Sequence, residues 1–179
     1  NCQSIMYGYA NENNDSAINT GTTDTVATPT GSPISNTDGK HACKYRGIEN
    51  PWGNIYKFCD GISFNESSVY VCTEPAAYSA GATTEPYEYY GTCSASNGFV
   101  KTVAPLKEGS LIQYITETRG DDATYYCDYS YETQVVSQGL DCGGAYYDGA
   151  DAGLWYWSGN YSSIYTDPDL GGRLCYKPV

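Results

Sequence analysis

Acid–base or nucleophilic chemistry in this chain would have to be built around one histidine, His41. It follows Gly39-Lys40 in a polar stretch, and no serine or cysteine stands in a nucleophile-elbow context that an imidazole could serve. Carboxylates are plentiful by contrast, with Asp121-Asp122 and Asp167-Pro-Asp169 as close pairs. A glycosidase needs two carboxylates at a fixed separation in a cleft, one of them kept protonated by burial. Paired aspartates in Gly- and Pro-rich stretches suit exposed turns instead. The cysteines are Cys2, Cys43, Cys59, Cys72, Cys93, Cys127, Cys142 and Cys175, with no CxxC pair, and His41 alone cannot complete a zinc set. An even, widely spaced set suits disulfides and an oxidising or extracellular setting, with the connectivity left open and buried thiols as the alternative. No EF-hand spacing is present, so the acidic turns could collect Ca²⁺ only opportunistically. The expectation is a protein without catalytic residues, resident cofactor or metal.

Composition narrows the classes further. Of 179 residues, 20 are Tyr, 3 are Phe and 1 is Met, so much of the apolar content carries a hydroxyl. Buried phenols need partners, and this many tyrosines cannot all be core. Tyr together with Ser, Gly, Asn and Asp is the chemistry of antibody-like paratopes, where a stiff amphipathic ring gives contact area at low entropy cost. An aromatic-rich β protein would share that composition. The net charge is -12, carried by scattered acids, and nine Lys and Arg make no basic patch, which argues against nucleic acid and anionic membranes as partners. No apolar run reaches the ~18–20 residues of a membrane span. The start at Asn1-Cys2 suggests a processed or trimmed terminus, and Asn14, Asn65 and Asn160 head Asn-x-Ser sequons.

The elements that would position such residues are unevenly marked. Residues 1–40 are polar and loop-rich, with Tyr7 and Tyr9 as a candidate edge strand and loop from Asn11 to Gly39. Residues 50–60 predict the one clear core helix: Asn50 as N-cap, Pro51 at the first position, Gly61 as the stop, and Ile48, Trp52, Ile55, Tyr56 and Cys59 at helical spacing. Gly53 inside it implies close packing. Thereafter the pattern is β, with strands expected at Ser68–Thr73, Ser110–Thr116, Ala123–Glu132, Leu154–Trp157 and Arg173–Tyr176, and loops with short strands at best across 74–109. In the 123–132 stretch Tyr125, Cys127, Tyr129 and Tyr131 face one way. Arg46, Glu49 and Arg173 read as structural charges satisfying buried carbonyls or each other. With no repeat and no boundary, residues 1–179 form one domain.

Two stretches together resemble the variable proteins of diversity-generating retroelements, which carry a C-type lectin fold of the formylglycine-generating-enzyme type and often serve as phage or viral tail receptor-binding proteins. One is Tyr45-Arg-Gly-Ile-Glu-Asn-Pro-Trp-Gly-Asn-Ile-Tyr-Lys-Phe-Cys-Asp-Gly61; the other runs from Gly143-Gly through Ala152-Gly-Leu-Trp-Tyr-Trp157 to Gly171-Gly-Arg-Leu174. Tyr125-Tyr-Cys-Asp-Tyr129 is similar to a strand of such tail proteins. The resemblance implies an α+β C-type lectin fold of short antiparallel strands, long loops and the helix at about 50–60. It also implies a variable region at 141–176.

In that family, template adenines are randomised, typically at AAC codons, which can become Tyr, Asp, Ser, Gly, Ala or Asn but never Lys, Glu, Gln, Met or Trp. Residues 141–172 lack Lys, Glu, Gln and Met, and also His and Arg. The resemblance places ligand-binding variable positions at Ala145, Tyr147, Asp148, Asp151, Ser158, Tyr161, Tyr165, Asp167 and Asp169, with Asn160 and Tyr156 as additions. Trp52, Trp155, Trp157, Gly171, Arg173 and Leu174 become scaffold. It implies a non-enzymatic hypervariable binder of a protein or glycan receptor on a host or neighbouring cell surface, itself on a virion tail or cell surface and as a possible homo-oligomer such as a trimer. Eight cysteines, and Cys59 where valine is usual, depart from the family. The catalytic cysteines of formylglycine-generating enzymes have no counterpart, leaving that activity and a fixed-specificity glycan-binding lectin as alternatives.

Overall fold

In the computed structural model, the residues described are 17–34, 41–79, 81–105, 113–121, 126, 128–131, 136–162 and 164–172. They form a nearly all-β protein. A small hairpin, β1 (Lys44–Tyr45) with β2 (Ile48–Glu49), precedes the long strand β3 (Tyr56–Asn65) and its hairpin partner β4 (Ser68–Val71). Then come β5 (Glu88–Thr92), β6 (Gly98–Pro105), β7 (Gln113–Thr118), β8 (Tyr129–Tyr131), β9 (Val136–Cys142), β10 (Trp157–Ser158) and β11 (Leu170–Gly171). The order β5-β4-β3-β9-β10-β8-β6-β7 curls into a nearly closed barrel, with β11 added parallel to the start of β3. The gap between β5 and β7 is spanned by Ser94 N–H donating to the Ile115 carbonyl at 3.0 Å. At Gly91 the Tyr114 ring lies where a Cβ would be, so the two edges approach only because that side chain is missing.

The expected α+β fold with a core helix at 50–60 is not what the chain adopts, and with it goes the C-type lectin architecture. Among the described residues there is no α-helix, only three-residue 3-10 turns at Pro75–Ala77 and Gly149–Asp151. Asn50 (φ 45°) and Gly53 (φ 70°) both sit at left-handed dihedrals that stop a helix before it starts. Asn50 instead closes the first hairpin, its Oδ1 accepting from Cys43 N–H at 3.0 Å. From Tyr56 the chain is extended, because β3 is the strand against which β4, β9 and β11 all pair. Tyr, Phe and Ile at alternate positions suit a pleated surface, and the long-range ladder overrides the local helical spacing. Ile48, expected on the apolar face, is 49% exposed.

The barrel interior is filled by Phe64, Val69, Val71, Val100, Ile115, Leu140 and Trp157, with Phe64 edge-on to Trp157 at 5.9 Å. Burying each such side chain contributes about 1.5–3 kcal/mol. Alternation within β4 supplies Val69 and Val71, as its sequence pattern suggests. Two strands, β5 and β6, occupy the 74–109 stretch expected to be mostly loop. Pro105 is compatible with β6 because it ends the strand, where a missing N–H is tolerated. Leu154 and Trp155 form a turn, so only the end of the expected 154–157 strand is extended. The candidate strands at residues 7–9 and 173–176, and half of 123–132, lie outside the described residues; of the rest, Tyr129–Tyr131 is strand β8.

Candidate ligand-binding site

The opposite face of the sheet is tyrosine-rich, and the register of three strands explains why. Trp157 faces Ser130 and Cys142 across the ladder, so the next residues outward, Ser158, Tyr131 and Asp141, share the other face. Tyr129 and Tyr156 precede them by two positions and point the same way. The chain from Gly143 to Asp169 then folds back over this face. Its base is fastened by the Gly143 carbonyl, which accepts from Gly53 and Gly153 N–H at 3.0 and 3.2 Å, and by Tyr56 N–H donating to the Asp169 carbonyl at 2.8 Å.

Aspartates then tie the tyrosines down. Asp148 Oδ2 accepts from Ala145 N–H at 2.8 Å while its Oδ1 accepts the Tyr56 hydroxyl at 3.0 Å. Tyr147 donates a short hydrogen bond to Asp169 Oδ2, and Tyr165 donates to Asp167 Oδ2 at 3.2 Å. Asp167 Oδ1 in turn accepts from Asp169 N–H at 3.3 Å. Tyr56 is the hub of the aromatic cluster, with ring centroids 6.1 Å from Tyr147, 5.7 Å from Tyr156 and 6.1 Å from Tyr161. Tyr161 stacks on Tyr165 at 4.5 Å and 7°, and Tyr129 lies 6.1 Å from Tyr131. Between these walls is a pocket of about 240 Å³ whose lining is completed by Asp148, Asp151, Ser158 and Asn160.

Its electrostatics are one-sided. None of the ten lining residues is Lys, Arg or His. Burial pushes the Asp148 and Asp169 carboxyls above their ordinary range. Asp141, the ladder partner of Ser158, is pushed up to about 7 by burial and then by the Asp169 charge. Burial also raises Tyr56, Tyr147, Tyr156 and Tyr161, so these phenols stay protonated and act as donors. The site offers aromatic faces and hydrogen-bond acceptors, and no cationic side chain lines it.

Of the positions expected to bind ligand, Tyr147, Asp148, Asp151, Ser158 and Tyr161 line this pocket, as do the added Tyr156 and Asn160. Tyr165 and Asp167 are exposed at its rim, whereas Asp169 is 8% exposed and Ala145 fully buried below it. Tyr56, Tyr129 and Tyr131 were outside the expected set. The alternation of 123–132 was the available signal for the last two, while Tyr56 was hidden by its assignment to a helix. Among the expected scaffold residues, Trp52 and Trp157 are buried. Trp155 is half-buried, its N–H donating to Asp128 Oδ2 at 2.6 Å, and Gly171 lies in β11 against Ile55. Arg173 and Leu174 lie outside the described residues.

Elsewhere, one disulfide joins β3 to β9, Cys59–Cys142. Glu49 receives Gly21 N–H at 2.7 Å and Thr23 N–H at 3.2 Å, and Arg46 lies over the Tyr45 ring. Among the described residues no three His, Cys, Asp or Glu side chains gather into a group that could hold a metal ion, and no helix is long and apolar enough to cross a membrane. No family model matches the chain, and no curated protein or solved structure matches it at a significant level.

Proposed function

We propose that this chain is a non-enzymatic ligand-binding protein that engages a protein or glycan receptor through the tyrosine–aspartate pocket and its rim. The observation that carries this reading is convergence: Tyr147, Asp148, Asp151, Ser158 and Tyr161, which the family resemblance names as variable positions, meet in one concavity with four further tyrosines. Tyrosine supplies contact area at low entropy cost, and carboxylates supply acceptors, which is what a recognition surface requires. Display on a virion tail or cell surface, and diversification by a retroelement, complete the proposal, now on a β scaffold.

Burial narrows which positions are free to vary. Ala145, Ser158 and Asp169 are at most 8% exposed, and changes there would cost fold stability. Variation belongs at Tyr147, Asp151, Tyr161, Tyr165 and Asp167. Sequencing the genomic locus tests this: a reverse transcriptase and a second near-identical repeat, differing from codons 141–176 almost only at adenines, are expected. A locus without that repeat, with clonal relatives identical at Tyr147 and Tyr161, would overturn the diversification. A fixed-specificity glycan-binding protein is the second reading, favoured by the stacked Tyr161–Tyr165 pair as a platform for a sugar face. It predicts a hit on a glycan panel that Tyr165→Ala abolishes.

A further inference from the structure

The pocket has a chemistry more specific than general stickiness. Tyr56, Tyr147, Tyr156 and Tyr161 form one wall and Tyr129 and Tyr131 another, all bordering the same space. Ring faces attract cations lying within about 6 Å of their centroids, the more so when water is excluded. Acceptors sit in the same space: Ser158 Oγ, in a residue 2% exposed, and Asp148, whose oxygens each take one donor. Carboxylate oxygens can each accept a second. Across the ladder from Ser158 is Asp141, 0% exposed, neither of whose oxygens meets a hydrogen-bond donor. A buried acid without a donor, beside a pocket lined by no Lys, Arg or His, is an arrangement that an incoming cation balances.

We infer that the pocket binds a primary alkylammonium group, the head of a lysine side chain presented by a protein receptor. This rests on reading the pocket as the ligand site. A primary ammonium carries three N–H donors for Asp148 and Ser158 while its methylenes lie against the tyrosines. A quaternary head satisfies the ring faces but brings no donor. Burial holds Asp148 and Asp169 above the ordinary carboxylate range, and a seated cation stabilises their charged forms.

The test is titration of the whole chain with n-butylammonium, tetramethylammonium and the neutral n-butanol at matched ionic strength, read from tyrosine resonances by NMR. Butylammonium is expected to bind about tenfold or more tightly than butanol, a difference of about 1.4 kcal/mol. Tyr161→Leu, which keeps apolar bulk without the ring, and Asp148→Asn should each weaken it several-fold. Should Asp148→Asn unsettle the loop, Tyr161→Leu in the pocket wall still decides the matter. Equal binding of butanol, tighter binding of tetramethylammonium, or indifference to Tyr161→Leu would overturn the inference. If the inference fails while pocket variants still abolish binding of a receptor or glycan, the ligand-site reading stands. If pocket variants leave binding of that receptor or glycan unchanged, that reading fails as well.

Discussion

The Tyr56 hydroxyl donates to Asp148 Oδ1 at 3.0 Å, joining two residues 92 positions apart. This bond pins the loop over the sheet, because the same carboxylate also holds the Ala145 N–H. Tyr56→Phe keeps the ring and removes the donor, leaving a largely buried carboxylate one partner short. Such a loss costs about 1–3 kcal/mol. The expected outcome is a lower melting temperature together with faster amide exchange at Ala145. Unchanged exchange there would show that the loop is held by other contacts.

Asp128 and Asp141 set the pH dependence of stability. Both are at most 1% exposed, and burial pushes both carboxyls up to about 7. At Asp141 the Asp169 charge adds to the effect, whereas at Asp128 the Trp155 N–H opposes it. Between the unfolded value of 3.8 and the folded value the native state holds more protons than the unfolded chain, so stability falls as pH rises across that window. Protein at pH 5 should therefore outlast protein at pH 8 in urea by a few kcal/mol, on the order of that linkage. Glu49 limits the gain from below. Desolvation raises it, but hydrogen bonds from Gly21 and Thr23 outweigh this and leave it under 4.5, so its stabilisation is lost only in stronger acid. Asp141→Asn should flatten the slope between pH 5 and 8; an unaltered slope would place the effect elsewhere.

Little of the fold was legible in the sequence, and the grouping of residues around the pocket came from the family resemblance. It placed Tyr147, Asp151 and Tyr161 in one variable region, and the chain brings them to one concavity. Trp52, on the expected apolar face, and Trp157, expected as scaffold, are both buried. The 50–60 segment misled because Ile48, Trp52, Ile55, Tyr56 and Cys59 repeat at helical spacing, while Tyr56, Phe58, Ile62 and Phe64 fall at the even spacing of a strand. Only the distant β9 and β11, pairing with β3 from residues 136–142 and 170–171, decide between them. Tyr56 was lost to the site for the same reason. Strands β5 and β6 were missed because they lie among prolines and glycines, where pairing with β4, β7 and β8 outweighs weak local preference.

Cys59 and Cys142 close a span of 83 residues between neighbouring strands. Cross-linking a span of that length restricts the unfolded chain by about 4.5 kcal/mol in the loop-entropy relation. Reduction, or a Cys59→Ser and Cys142→Ser double variant, should lower stability by an amount approaching that figure, read from denaturant midpoints with and without reductant. The loss should be larger than for any rim variant such as Tyr165→Ala. A midpoint insensitive to reductant would mean that β3 and β9 are held by their ladder alone.

Cys43 is 1% exposed, and burial pushes its thiol up to about 12, against a smaller opposing pull from Lys57. Cys72 is also buried, its Sγ 3.6 Å from the Glu74 carbonyl. Nucleophilic cysteines need the reverse, an exposed sulfur with a lowered pKa, since the thiolate is the reacting species. At pH 8 iodoacetamide should therefore leave both unlabelled in the native protein and label both after unfolding in urea, as peptide mapping by mass spectrometry would report. Because Cys43 lies at the base of the hairpin, where its N–H donates to Asn50, its labelling rate also measures how often that hairpin opens. Rapid native labelling of Cys43 would contradict its burial and return thiol chemistry to consideration.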